Sequence, residues 1–301
     1  MSDTSFGVLP WAQNSSSQRW VNFTLGGYPK GLPRFKAARS TLPAMSERCL
    51  RAFQALFLLT AGFLAFLTVS DHAISWTSRD PDGIRLAFWL SDLLGIGLPC
   101  LLIVALSREA RGNLGFRLPP AGHLLLGLLL AAGLWTPLWA ADSLRARFFE
   151  DSGKEALFRA LLTPGSGGHA MVFLTLAVAP AFFEELAFRG LLQPALTTAW
   201  GAGPGILSTA FLFALFHMSP AQTVVQFILG TAIGWMRYRT KSLWPCVLGH
   251  ALHNGIAVEA MLRSPGLFGD RPAMPPLPWV AGGLALAALS AWALRQRTAG
   301  R

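Results

Sequence analysis

Apolar residues arrive along this chain in long unbroken blocks rather than at the alternating spacing of strands. The blocks fall at residues 50–69, 86–106, 123–141, 171–192, 205–218, 223–238, 243–262 and 277–294. Most approach the roughly 20 residues that a helix needs to cross a ~30 Å hydrocarbon core. The fifth and sixth are short, which predicts tilted spans or spans lengthened by their flanks. The pattern predicts an all-α fold: a polytopic bundle of about eight transmembrane helices around a central intramembrane cavity. Residues 1–48 lack helical periodicity and are rich in Ser, Gly, Pro, Lys and Arg. They read as a basic, disordered cytoplasmic tail, punctuated by Trp11, Trp20, Phe23, Tyr28 and Phe35, ahead of a membrane-embedded domain at 49–301. Residues 144–162 mix charge with Phe148, Phe149, Leu157 and Phe158, which predicts a helix lying along the interface before Pro164-Gly165-Ser166-Gly167-Gly168. No internal repeat is visible, which disfavours an inverted-repeat transporter.

Composition agrees. The chain is 52% hydrophobic and 13% charged, against about a quarter charged in soluble domains. The 25 Lys and Arg outnumber the 15 Asp and Glu. With the N-terminus inside, about twice as many cations fall on the inner side as on the outer, which predicts eight crossings with both termini cytoplasmic. Ala, Leu, Gly and Arg richness fits a bacterial inner membrane. No basic soluble module exists to engage nucleic acid. Cys49, Cys100 and Cys246 form no CxxC pair, so neither a disulfide framework nor a thiolate metal site is implied.

Against this background the ionisable residues inside the apolar blocks carry the chemistry. Glu184, Glu185 and Arg189 share one block, where a single charge costs roughly 2.5–3.5 kcal/mol at a helix centre. Glu185 and Arg189 are i and i+4, which favours a pair. Adjacent residues point about 100° apart, so the two glutamates are expected not to face one partner, and Glu184 is left as the reactive carboxylate. Downstream, Phe213 precedes His217 by four residues and could wall a pocket around the imidazole. His250 and Asn254 project from one face of a later helix. His253 points away and reads as a bystander. Asp92 and Glu259 read as structural, with Asp92 able to line the same cavity.

In order and each on its own apolar block, Glu184-Glu185-x-x-x-Arg189, Phe213-x-x-x-His217 and His250-x-x-x-Asn254 resemble the signature of the CPBP family, glutamate-dependent intramembrane proteases that include the type II CAAX prenyl endopeptidases. The resemblance covers about 86–262. It implies that Glu184 and His217 polarise a water, that His250 and Asn254 donate to the oxyanion, and that Glu185 and Arg189 hold the helix and orient Glu184. The substrate implied is a membrane-associated protein or peptide, with its lipid-like part kept in the bilayer. No cofactor is expected. Zinc is the alternative, with Glu184, His217 and His250 as ligands; against it, no HExxH occurs and no carboxylate is visible as a second-shell partner of either imidazole. Two other functions compete: a non-catalytic scaffold or immunity-type protein of the same fold, and a transporter using the Glu/His cluster as a proton relay.

Overall fold

A computed structural model describes residues 54, 60–62, 64, 66–68, 80–148, 155–264 and 273–299. The tail at 1–48 and nearly all of the first apolar block lie outside the described residues. Among the described residues the chain is helical, without strands. The helices are α1 (Pro81–Leu106), α2 (Arg108–Asn113), α3 (Ala121–Arg145), α4 (Glu155–Leu162), α5 (Gly168–Trp200), α6 (Ala202–Phe216), α7 (Pro220–Thr240), α8 (Trp244–Arg263) and α9 (Leu277–Arg297). Their starts follow from local chemistry. The Asp80 carboxylate accepts from Gly83 N at 2.8 Å and Ser107 caps α2. Ser219 caps α7 ahead of Pro220, where the missing N–H costs nothing.

Four helices, α1, α3, α5 and α9, are long and apolar enough to cross a membrane. Helix α6 is shorter. Helices α7 and α8 have the length but carry polar residues on their faces (Gln222, Gln226, Arg237 and Arg239; His250, His253 and Asn254). Among the described residues, four of the expected eight crossings meet this standard of length and apolarity, and the first expected crossing lies almost wholly outside the described residues. Of the expected interfacial helix, α3 takes the first two residues, running on to Arg145, and α4 covers Glu155–Leu162, while 149–154 lie outside the described residues.

Burial is inverted relative to a soluble protein. Leu93, Leu94, Leu98, Leu101 and Leu102 of α1 face outward, as do Leu284, Leu289 and Trp292 of α9. Arg85, Asp92, Glu185, Arg189, Gln193, Arg237 and His250 are inside. Lipid rewards that arrangement, since tails solvate leucine while buried polar groups find partners in the bundle.

Two apolar clusters hold the helices together. One gathers Leu186, Phe188, Leu192 and Leu196 of α5 with Phe213 of α6 and Val247 of α8. The other gathers Leu130 and Leu138 of α3, Ile233 and Met236 of α7, Cys246 of α8 and Ala287 of α9. Cys246 and Val247 are neighbours, so α8 is the helix shared by both clusters. Outside the core, Arg85 is buried and donates to the Asp82 carboxylate and to the Leu161 and Thr163 carbonyls, while Asp82 accepts from Ser166 N and Oγ. This latch fixes the loop that feeds α5.

All three π-helical segments have one cause. They cover Ser91–Gly97, Leu174–Val178 and Leu186–Leu192, and a proline stands two residues beyond each: Pro99, Pro180 and Pro194. A proline offers no N–H and its ring clashes with the carbonyl four residues back. That carbonyl lies inside the π segment each time. The residue just before each proline bonds instead to the fifth carbonyl back: Leu98 to Leu93, Ala179 to Leu174 and Gln193 to Phe188. The wider turn lets the helix continue through the proline.

Helix α9 is attached to α3 by close backbone approach. A Cβ added at Gly133 would fall 2.6 Å from Ala287 N, and one at Gly283 would fall 2.6 Å from Gly133 O. Gly133→Val should therefore force α9 outward and lower stability by about 1–3 kcal/mol, the usual cost of overpacking. Thermal unfolding in detergent checks this, with Gly112→Ala, which meets nothing within 4 Å, expected to match wild type or exceed it. A Gly133→Val midpoint equal to wild type would contradict the packing described.

Candidate active site

Glu184 is the midpoint of α5, in a seven-residue α segment, Ala179–Glu185, bounded on both sides by π turns. The extra length of α5 answers a difficulty of depth. Drawn as 171–192, the block puts Glu184 toward one face of the membrane and His217 toward the other. Drawn as observed, the glutamate is central, and the end of α6 reaches the same region.

Arg189 is fully buried and makes the site's central contacts. It donates to Glu185 Oε1 at 2.9 Å and to the Gly230 carbonyl of α7 at 3.1 Å, and its guanidinium lies 4.3 Å from the Phe213 ring centroid. Gly230 suits this approach, because a Cβ there would crowd Phe213 Cδ1 at 3.1 Å and Arg189 Nη2 at 3.2 Å. One turn on, Gln193 Nε2 donates to the Gly234 carbonyl at 2.8 Å. Two polar side chains of α5 thus hold successive glycine carbonyls of α7.

Glu185 Oε1 has a second partner, His250 Nδ1, at 2.9 Å. Its other oxygen, Oε2, has no hydrogen-bond partner among the described residues. On the far side of the same ring, His250 Nε2 stands 3.9 Å from Glu184 Oε2, beyond hydrogen-bond length. This corrects the expectation from helical angles. The two glutamates do approach one partner, because an imidazole offers two nitrogens on different edges. It also supplies the carboxylate partner for an imidazole that the spacing of residues had hidden.

His217 caps the end of α6. Its Nδ1 lies 2.9 Å from the Phe213 carbonyl, and a carbonyl only accepts. Nδ1 therefore carries the proton, and in the neutral ring Nε2 keeps its lone pair. Phe213 packs edge-on against both imidazoles, with ring centroids 4.9 Å from His217 and 5.7 Å from His250. Phe213 thus touches both histidines. Asn254 lies one turn along α8 from His250, half-buried. His253 faces the Ala131 backbone of α3, and Glu259 is engaged by Arg263 near the helix end.

Asp92 belongs to this region. It is buried, in the π segment of α1, and close enough to Glu184 for their charges to bear on one another. Gln193 and Gly230 are the other contributors that the sequence did not single out. Gln193 had a legible signal, since it continues the i, i+4 progression from Glu185 and Arg189. Gly230 had none without α7 in place. Among the described residues no three His, Cys, Asp or Glu side chains form a metal-binding group. An open groove of about 490 Å³, lined by Trp200, Leu207, Ser208, Phe211, Leu212 and Phe227, includes none of the site residues, so it is not the central cavity expected around them.

With this geometry in place, the comparison with protein families is informative. Residues 166–256 match the family model of Rce1-like, type II CAAX prenyl endopeptidases. That stretch runs from the loop ahead of α5 to α8 and contains every residue of the constellation from Glu184 to Asn254. The match is to this segment alone and accords with the CPBP resemblance; with the four apolar helices it supports an integral membrane protein. No curated protein and no solved structure matches the chain.

The buried pair gives a stability prediction. Arg189→Met leaves Glu185 charged with only a histidine beside it and should cost about 3–5 kcal/mol, the loss usual when one member of a buried pair is removed. Arg189→Met with Glu185→Leu should recover part of that loss. Thermal unfolding of the purified variants measures both. A single variant as stable as wild type would show that the pair does not hold the bundle.

Proposed function

We propose that the protein is an intramembrane endopeptidase. It hydrolyses a peptide bond near the C-terminus, or in the membrane-proximal segment, of a membrane-associated protein or peptide, lipidated ones included. The observation that carries this reading is that one free-facing carboxylate, Glu184, stands beside an imidazole whose other nitrogen is already held by Glu185. In this reading Glu184 takes a proton from water while His217 Nε2 accepts the water's other hydrogen. The hydroxyl oxygen forms a bond to the scissile carbonyl carbon. The oxyanion receives hydrogen bonds from His250 and Asn254. That donation requires His250 to carry protons on both nitrogens before the water attacks, Nδ1–H held by Glu185 and Nε2–H left for the oxyanion. Collapse breaks the C–N bond, and the proton held by Glu184 passes to the leaving amine, giving a carboxylate and a free amine.

No step is routed through a metal. Glu184, His217 and His250 are the residues that would hold zinc if the enzyme used one, and a chelator arm decides the matter. Glu185 and Arg189 act through His250 and the helix rather than on the substrate.

Cleavage of a prenylated CAAX reporter and of unlipidated membrane-anchored peptides, in liposomes, tests the proposal. Glu184→Gln should lower the rate by about 10²–10⁴, the range for loss of a general base, and Asn254→Ala by about 10²–10³, as for an oxyanion donor. Chelator should change neither wild type nor variants; a chelator-sensitive wild type would transfer the water-activating role to a metal. Full activity in Glu184→Gln, or no cleavage of any reporter, would favour the scaffold reading.

A further inference from the structure

The end of the bundle where α7 turns into α8 gathers cations from three parts of the chain. Arg117 comes from the loop ahead of α3, Arg239 and Lys241 from the end of α7, and Arg295 and Arg297 from the last turn of α9. All are exposed except Arg239, which is half-buried. Backbone bonds hold the parts together. Ser242 Oγ donates to the Arg117 carbonyl at 2.8 Å, and Leu243 N to the Gly115 carbonyl at 2.7 Å. Arg239 donates to Thr298 Oγ1 at 2.8 Å and to the Arg295 carbonyl at 2.9 Å. The Arg297 guanidinium lies against Gly122 at the start of α3.

Of these cations, the Arg239 guanidinium is held by a hydroxyl and a carbonyl and the Lys241 ammonium lies 3.9 Å from the Tyr238 ring centroid, with no carboxylate in either contact. Among the described residues none of the five is in an ion pair, and residues 110–123, 235–246 and 287–299 contain no Asp or Glu. Lys241 registers the crowding: burial first, then Arg237 and Arg239, push its ammonium below the ordinary lysine value. Lys241 also has φ 56°, the left-handed conformation that suits glycine or asparagine at a helix end. A lysine kept at such a position is a pointer to use. The rim is apolar: Phe116 and Leu118 are exposed, Trp244 Nε1 donates to the Phe116 carbonyl at 2.7 Å, and the two rings lie 6.1 Å apart. Aromatic residues with a polar handle belong at headgroup level.

We propose that this face binds the headgroup of an anionic phospholipid, with the phosphate between Arg117, Arg239, Lys241 and Arg297 and the acyl chains along Phe116 and Leu118. The site joins the active-site helix through one side chain. Arg237 donates to the Asn113 carbonyl at 2.7 Å, which pins the loop, and to the Arg189 carbonyl at 3.2 Å. Lipid occupancy therefore stiffens the loop that braces α5.

The test needs no protease substrate, so it stands or falls apart from the proposed hydrolysis. The full chain, purified in neutral detergent, is given dioleoylphosphatidylglycerol, dioleoylphosphatidylcholine or inorganic phosphate, and bound lipid and thermal midpoint are read by native mass spectrometry and unfolding. The phosphatidylglycerol should be retained at least about tenfold over phosphatidylcholine and raise the midpoint, and added salt should weaken both effects. Lys241→Gly with Arg117→Gln and Arg297→Gln should abolish the preference. Lys241→Gly alone should weaken it while leaving the lipid-free midpoint equal or higher, since glycine relieves the backbone. Equal retention of the two lipids, an unchanged preference in the variants, or a midpoint rise with phosphate alone would overturn the proposal.

Discussion

Arg189 is the residue on which the rest of the structure depends. A guanidinium keeps its charge under all ordinary conditions, and here it is fully buried at the middle of a membrane-spanning helix. Glu185 neutralises it, the Gly230 carbonyl takes a second bond, and the Phe213 ring covers its face. Each of those partners then fixes something else. Glu185 holds His250 on α8, Phe213 separates the two histidines, and Gly230 sets how closely α7 can approach. One charge thereby arranges four helices around Glu184.

Backbone irregularity makes this possible. Pro180 and Pro194 flank the glutamates, and each is preceded by a π turn that carries the hydrogen-bond ladder past it. The short α segment between those turns presents Glu184 and Glu185 to opposite edges of one imidazole. Pro99 does the same in α1, where the π segment contains Asp92. Pro137 sits inside α3 without a π segment, in the part of the bundle that carries none of these groups.

Much of this was legible from residue order. Among the described residues the apolar blocks located the helices, and the i, i+4 spacing located the Glu185–Arg189 pair. What stayed hidden depends on contacts between distant elements. Nothing in the spacing of Glu185 and His250 announces their hydrogen bond, because it depends on how α8 crosses α5. Asp92 was visible as a charge in an apolar block, but its nearness to Glu184 depends on how α1 packs against α5. The end of α5 was missed because Gln193, Thr197 and Thr198 look like a loop, whereas Thr197 and Thr198 bond back to the Pro194 carbonyl. The crossings were less legible than the helices, since α7 and α8 are long enough to span but too polar to be classed by hydropathy.

The central claim is that Glu184 activates water rather than attacking the peptide itself. Single-turnover cleavage in H₂¹⁸O, with enzyme in excess over a membrane-anchored reporter, tests this directly. The account predicts that the first turnover places one ¹⁸O in the newly formed product carboxylate, with none in the Glu184 side chain. A first turnover that delivers ¹⁶O to the product and leaves ¹⁸O on Glu184 would show a covalent acyl intermediate on that carboxylate and contradict the account.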